Sequence, residues 1–235
     1  LAPWEHLGGD AWPNWLQSID AFCTAIARLI NATANEICPQ PNLASGFSAY
    51  LTAIAKLPEN QGKCRILMHQ DAFASMGFVV TGLAKSYGLE LILVQGNPNN
   101  LYAWTTELAK GHVLACLFTH VHSNTSIKSN IVRLVKLAKE HDTYALVDIA
   151  QSVGIVPVDA REWGADAIVG SCVKWLCGGP GAGFMFIEAA QIVKLNPDPV
   201  GWFSHQNPFE FDITHYVAAT NARRFWGGTP SVASY

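Results

Sequence analysis

Short apolar runs alternate with amphipathic stretches along the first two thirds of this chain, and that rhythm restricts its fold more than any other feature. Arg65-Ile66-Leu67-Met68, Leu89-Glu90-Leu91-Ile92-Leu93-Val94, Val113-Leu114-Ala115-Cys116-Leu117-Phe118 and Tyr144-Ala145-Leu146-Val147 each read as a strand. Between them lie helical patterns: Phe73 to Tyr87 stopped by Gly88, Trp104 to Lys110, and Ile127 to His141 with Ile131, Leu134, Val135 and Ala138 on one side. Upstream, Trp15, Ile19, Phe22, Ile26 and Ile30 define another helix face, with Asn14 and Gln17 as its capping pair, and a second helix runs from about Ala44 to Leu57. Strands this apolar, separated by helices, predict a parallel sheet covered on both faces. After Asp148 the rhythm changes. Ala167-Ile168-Val169 and Phe184-Met185-Phe186-Ile187 are joined by a glycine-rich loop too short for a crossover helix, so they are expected to pair antiparallel. The expected fold class is α/β, a three-layer sandwich around a mostly parallel sheet.

Composition narrows the function. Fifteen basic and eighteen acidic residues give a net charge of −3 with no basic run, which argues against nucleic acid as a partner. Half the residues are hydrophobic, which excludes a disordered chain, and no apolar run reaches membrane-spanning length. Only 14% are charged, an apolar balance for a soluble monomer that predicts surface buried against something else. Cys23, Cys38, Cys64, Cys116, Cys172 and Cys177 form no CxxC pair and lie mostly in apolar stretches, the pattern of free thiols in a reducing, cytoplasmic setting. Leu1-Ala2-Pro3-Trp4-Glu5-His6 has no signal-peptide pattern. The chain reads as a piece of a longer protein: residues 1–40 as an N-terminal segment with the first helix, residues 41–235 as a large domain, and a small C-terminal domain missing.

Several chemistries fail on spacing. Gly179, Gly181 and Gly183 precede a strand and enclose Pro180, whereas a dinucleotide loop must follow a strand and open a helix. A Walker-type phosphate loop, an HExxH zinc motif and a GxSxG serine elbow are all missing from the sequence. His120 and His122 stand two apart at a strand end without a third ligand, so no metal is expected.

Two residues carry chemistry. Asp148 follows a hydrophobic strand, and parallel sheets bind ligands at the carboxyl ends of their strands. Lys174 sits in an apolar, glycine-rich loop, where poor solvation would make its amine more nucleophilic. Alone, Asp148 also reads as a turn or cap residue, and Lys174 as a surface lysine packed on Trp175. Together they meet the needs of a pyridoxal 5'-phosphate site: a lysine to hold the cofactor and an acid to partner its ring nitrogen.

Asp148-Ile149-Ala150-Gln151-Ser152-Val153-Gly154, followed by Lys174-Trp175-Leu176-Cys177-Gly178-Gly179-Pro180-Gly181, resembles the fold-type I pyridoxal phosphate enzymes, and among them the class V aminotransferase group, kynureninase included. The resemblance covers most of the chain, with Gly201-Trp202-Phe203-Ser204-His205 and Phe225-Trp226-Gly227-Gly228-Thr229-Pro230 extending it downstream. It implies Lys174 as the Schiff-base lysine, Asp148 on the pyridine nitrogen, Gln151 near the ring and Ser171 at the phosphate. It further implies Phe73 stacked on the ring and Ala44 and Ser45 at a helix start that receives the phosphate. Trp202 and Thr229 would reach the cofactor phosphate of the neighbouring subunit in a homodimer with a shared active site. The implied substrate is an amino acid, a small molecule.

Departures from the family pattern bear on the reaction. Val173 stands where kynureninase has a tyrosine, and a valine supplies no phenol. Gln151 matches the desulfurases rather than kynureninase, yet the reactive C-terminal-loop cysteine of the desulfurases has no counterpart here. Thr119-His120-Val121-His122-Ser123-Asn124-Thr125 resembles the family's His-Val-Asn loop in altered form. Arg223 and Arg224 precede the region that grips a substrate carboxylate in this family. Transamination is expected first, with kynureninase-like hydrolysis or desulfurase-like cleavage as alternatives. A non-catalytic structural relative is the reading from another class.

Overall fold

A computed structural model describes residues 2–235. Eight helices and seven strands follow in order: α1 (Ala2–Leu7), α2 (Trp12–Leu29), β1 (Ile37–Gln40), α3 (Leu43–Ala55), β2 (Arg65–His69), α4 (Ala74–Tyr87), β3 (Glu90–Val94), α5 (Leu101–Leu108), β4 (Val113–Thr119), α6 (Ile131–Glu140), β5 (Tyr144–Asp148), α7 (Ala160–Trp163), β6 (Ala167–Ser171), β7 (Gly183–Ile187) and α8 (Ala189–Ile192). The strands form one sheet in the order β1-β7-β6-β5-β4-β2-β3. The pairs from β3 through β6 are parallel, and β7 runs antiparallel to both β6 and β1. The expected reversal at the glycine-rich loop is therefore present.

The helices group as α3 with α4 and as α5 with α6 and α7, the division between two faces that right-handed crossovers in this strand order require. α3 touches α4, and α6 touches both α5 and α7. Every residue of β4 is buried, as expected of a central strand covered on both sides. Trp104 and Phe118 pack edge to face with ring centres 4.9 Å apart, and the Trp104 indole donates to the Pro98 carbonyl at 3.0 Å. That bond satisfies the one polar group of a buried indole.

The structure departs from the sequence pattern at element ends. α2 begins at Trp12, because Pro13 fits a helix's first turn, where its missing N–H costs nothing. α5 begins at Leu101, where the Asn100 side chain accepts from the Tyr102 N–H. α6 begins at Ile131, where the Asn130 side chain accepts from the Arg133 N–H; the preceding residues instead form a bridge between Val121 and Lys128. β1 carries no clear signal because Pro39 interrupts it. The strand lies at the sheet edge, where a proline is tolerated.

Residues beyond α8 form short helical turns and loops. They are tied to β1 by the Gln40 side chain, which donates to the Phe225 carbonyl at 3.1 Å, and by the Tyr235 hydroxyl, which donates to the Gln40 carbonyl at 3.1 Å. Among the described residues no helix is long and apolar enough to cross a membrane, and all six cysteines are free.

Candidate active site

A cavity of about 320 Å³ opens where β4, β5 and β6 end. Thr119 closes β4, Asp148 closes β5, Ser171 closes β6, and all three line it. The start of α3 supplies Ala44, and Phe73, the residue before α4, supplies an aromatic wall. Lys174 and Gln151 reach the same cavity from the loops after β6 and β5. The topology thus gathers residues far apart in sequence, as parallel sheets do at their carboxyl ends.

Asp148 is only 4% exposed. One carboxylate oxygen accepts the Ala150 N–H at 2.8 Å. Burial pushes its pKa up from 3.8 to about 6, while the Ala150 N–H and the Lys174 charge pull the other way. Beside it, the Thr119 hydroxyl is buried without a hydrogen-bond partner. A buried hydroxyl left unpaired is costly and marks a position that a bound group could satisfy.

Lys174 corrects one expectation. Its loop is not a shielded, poorly solvated pocket. Lys174, Val173 and Trp175 are all exposed, because the loop begins only after β6 has ended at Ser171 and local apolarity does not force it into the core. The Lys174 amine lies 5.9 Å from the centre of the Phe73 ring, so those two residues frame the cavity mouth. The loop also leans on Gly154. That residue has φ +92, and a Cβ there would sit 2.7 Å from Leu176 Cδ2.

At the start of α3, Asn42 is the cap, and its side chain accepts from the Ser45 N–H at 2.9 Å. The Ser45 hydroxyl bonds the same oxygen at 3.2 Å. The N–H groups of Leu43 and Ala44 precede any intrahelical acceptor and border the cavity. A helix end of this kind attracts anions.

Behind Phe73, two histidines hold the turn after β2. The Asp71 N–H donates to His69 Nδ1 at 3.2 Å, and His69 Nε2 lies 2.7 Å from the Gly96 carbonyl. His122 Nδ1 lies 3.2 Å from the Asp71 carbonyl, and its Nε2 is 3.5 Å from the Ser129 hydroxyl. These partners fix both tautomers: His69 donates through Nε2 and His122 through Nδ1. Burial pushes the His122 pKa down, which keeps the ring neutral and the clamp intact.

Lys174, Asp148, Gln151, Ser171, Phe73 and Ala44 therefore meet at one cavity, with Ser45 one residue beyond its lining. Trp202 and Thr229 do not line it. Their side chains bond each other at 3.3 Å, beside a cluster of Trp12, Phe203 and Phe209. The sequence reading missed Thr119 and the histidine clamp. Thr119 could have been found only from its register opposite Asp148. Among the described residues, no three His, Cys, Asp or Glu side chains gather to hold a metal.

The family model described as aminotransferase class-V matches residues 15–235. The chain belongs to the class-V aminotransferase family. It is 29% identical over 227 residues to a kynureninase of Deinococcus radiodurans, a match covering 96% of this chain and 53% of that protein. It is 25% identical over 226 residues to the uncharacterized aminotransferase YcbU of Bacillus subtilis, covering 96% of this chain and 58% of that protein. The chain thus spans little more than half the length of these class-V relatives. Among solved structures it resembles the cystine C-S lyase C-DES in complex with cysteine persulfide, with TM-score 0.84 and 22% identity, covering 99% of this chain and 62% of that one. A cysteine desulfurase of Thermococcus onnurineus matches with TM-score 0.81 and 20% identity, covering 95% of this chain and 55% of that one. These likenesses show that the class-V chain has the fold of both.

Proposed function

We propose that this chain is the cofactor-binding part of a pyridoxal 5'-phosphate-dependent enzyme that acts on an amino acid by class V aminotransferase-like chemistry. The observation that carries this reading is the convergence of Lys174 and Asp148 on one cavity. The residues present suit the cofactor. The N–H groups of Leu43 and Ala44 and the Ser171 hydroxyl match a phosphate, whereas Ser45 spends its N–H and hydroxyl on Asn42. The flat face of Phe73 matches an aromatic ring, and the orphaned Thr119 hydroxyl awaits a polar partner. Asp148 matches a protonated ring nitrogen, with Gln151 close by. When bound, pyridoxal phosphate supplies an electron sink for a carbanion.

The chain's own groups do the rest. Lys174 is the single amine lining the cavity, so it holds the cofactor and then carries the proton to and from the substrate carbon. Asp148, ionised above about pH 6, keeps a proton on the ring nitrogen. Burial strengthens that pairing by lowering the local dielectric.

Similarity to kynureninases supports a hydrolytic second reading. Val173 bears on it, since it offers no phenol where the resemblance would call for one. A desulfurase-like lyase is the third reading and rests on fold likeness alone. A non-catalytic scaffold would need neither Lys174 nor Asp148. The working unit is a homodimer in the cytoplasm, in which Trp202 and Thr229 serve the partner's cofactor phosphate. Their absence from the lining of their own chain's cavity, the exposed Phe73, Phe78 and Trp175, and the six free cysteines support this.

The test is to add pyridoxal phosphate to the full-length protein, then screen amino acids for release of keto acid, alanine or sulfide. Saturable uptake of the yellow cofactor followed by keto-acid release is expected. Alanine release would move the reading to hydrolysis or desulfuration, with sulfide assigning the latter. A protein that takes up no cofactor would overturn it.

A further inference from the structure

Cys172 and Cys177 stand at the two ends of the loop that carries Lys174, and the loop closes on itself between them. The Gly178 N–H donates to the Cys172 carbonyl at 2.8 Å, and the Cys177 N–H donates to the Lys174 carbonyl at 3.0 Å. We infer that these two thiols are an oxidation site, which hydrogen peroxide closes to a disulfide that clasps the lysine loop.

The backbone sets up the pairing. In a trans peptide the N–H points to the same side as the preceding Cα. The Gly178 bond therefore draws the Cys177 Cα up to the Cys172 carbonyl, within the roughly 4–7 Å between Cα atoms that a disulfide spans. The Cys172 side chain points the same way, since a Cβ on Gly178 would lie 2.8 Å from the Cys172 Cβ. Cys172 itself is fixed. It follows directly on β6, it is buried, and its N–H donates to the Ala182 carbonyl at 2.9 Å. Cys177 is the reverse: it is the only exposed cysteine among the described residues. Its φ is +53, a conformation that residues other than glycine rarely adopt. Its thiol has one weak partner, the Trp175 carbonyl at 3.8 Å, so little holds it in place.

The chemistry balances with peroxide as the one co-reactant. Cys177 meets it first, because Cys172 is buried and burial pushes its thiol pKa up. The Cys177 sulfur attacks a peroxide oxygen and the O–O bond breaks. The departing hydroxide takes the thiol proton and leaves as water, and a sulfenic acid remains. The Cys172 sulfur then attacks the Cys177 sulfur. The S–S bond forms, the S–O bond breaks, and the hydroxide takes the Cys172 proton and leaves as a second water. The two thiols lose two electrons, and peroxide gains them. Drawing Cys177 onto Cys172 disturbs its hydrogen bond to the Lys174 carbonyl, and so moves the lysine relative to Asp148. The disulfide is independent of what the cavity holds, whereas its effect at Lys174 rests on the proposed cofactor reading.

Peptide mapping of the full-length protein tests this. Reduced protein is treated with a slight excess of hydrogen peroxide, the remaining thiols are blocked, and a digest is read by mass spectrometry without reductant. A cross-link between Cys172 and Cys177, reversed by dithiothreitol, is expected. Cys177→Ser should abolish it, and Cys64→Ser, at a half-buried cysteine outside the loop, should leave it. In absorbance titrations the oxidised protein should take up pyridoxal phosphate at least roughly tenfold more weakly than the reduced one, with recovery after reduction and desalting. Peroxide should not change the uptake by Cys177→Ser. Three results would each overturn the inference: Cys172 and Cys177 stay unlinked, Cys177 links only to a second copy of the chain, or the linked protein takes up the cofactor as tightly as the reduced one. A reduced protein that takes up no cofactor overturns the cofactor reading instead, and the cross-link alone then decides the oxidation site.

Discussion

Thr119 and Asp148 stand in register as the last residues of adjacent parallel strands, and both line one cavity. One presents a buried hydroxyl with no partner, and the other a buried carboxylate with a single backbone partner. A fold does not need either group in that condition. Both make sense as polar positions left for a bound molecule to complete, at some cost to the stability of the empty protein.

That cost should be measurable at Asp148. Its folded pKa lies near 6 against an ordinary value of 3.8, so the folded state binds the proton more tightly than the unfolded one. Stability of the cofactor-free protein must therefore fall as pH rises from about 4 to 6, and stay reduced above that. Asp148→Asn removes the charge. Thermal melts of cofactor-free protein should give the variant a higher Tm at pH 7.5, by an amount corresponding to on the order of 2–3 kcal/mol. The gap should close toward pH 4. A gap independent of pH would contradict the assignment. The same variant should lose nearly all turnover.

Thr119→Val tests the partner position. Removing an unpaired buried hydroxyl should leave the empty protein as stable or up to about 1 kcal/mol more stable. Affinity for pyridoxal phosphate, followed by absorbance titration, should fall roughly tenfold, the worth of one lost hydrogen bond. Unchanged affinity would remove Thr119 from the site.

The strand and helix rhythm was legible because burial on both faces demands unbroken apolar strands, as β4 illustrates. Asp148 and Lys174 were legible because their chemistry needs rare residue types at fixed places in that rhythm. The rest depended on three-dimensional facts. β1 was hidden by Pro39, whose tolerance comes from lying at an edge. The exposure of Lys174 depends on the path of its loop, which local apolarity does not specify. The histidine clamp joins three loop segments whose proximity only the sheet order creates.

The clamp makes its own prediction. His122→Ala removes the donor to the Asp71 carbonyl and frees the turn that leads to Phe73. Stability should drop by about 1–3 kcal/mol, and pyridoxal phosphate affinity should fall with it. His122→Asn keeps a donor and should restore part of both. If the alanine variant destabilises the fold but binds the cofactor as tightly as the parent, the clamp is structural only.

Gly154 couples the loop after β5 to the lysine loop. Gly154→Ala places a Cβ at φ +92 and against Leu176, so it should cost about 1–3 kcal/mol. Because Leu176 is two residues from Lys174, cofactor affinity should weaken as well. A chemical denaturation curve and an absorbance titration check the two effects separately.

The most direct measurement reduces the pyridoxal phosphate-loaded protein with borohydride and maps the modified peptide by mass spectrometry. The yellow band should disappear, and the cofactor's mass should be found on Lys174 alone, with none retained by Lys174→Ala, a variant that still folds because the side chain is exposed. A protein that carries no adduct after reduction, or carries it on another lysine, would contradict the account.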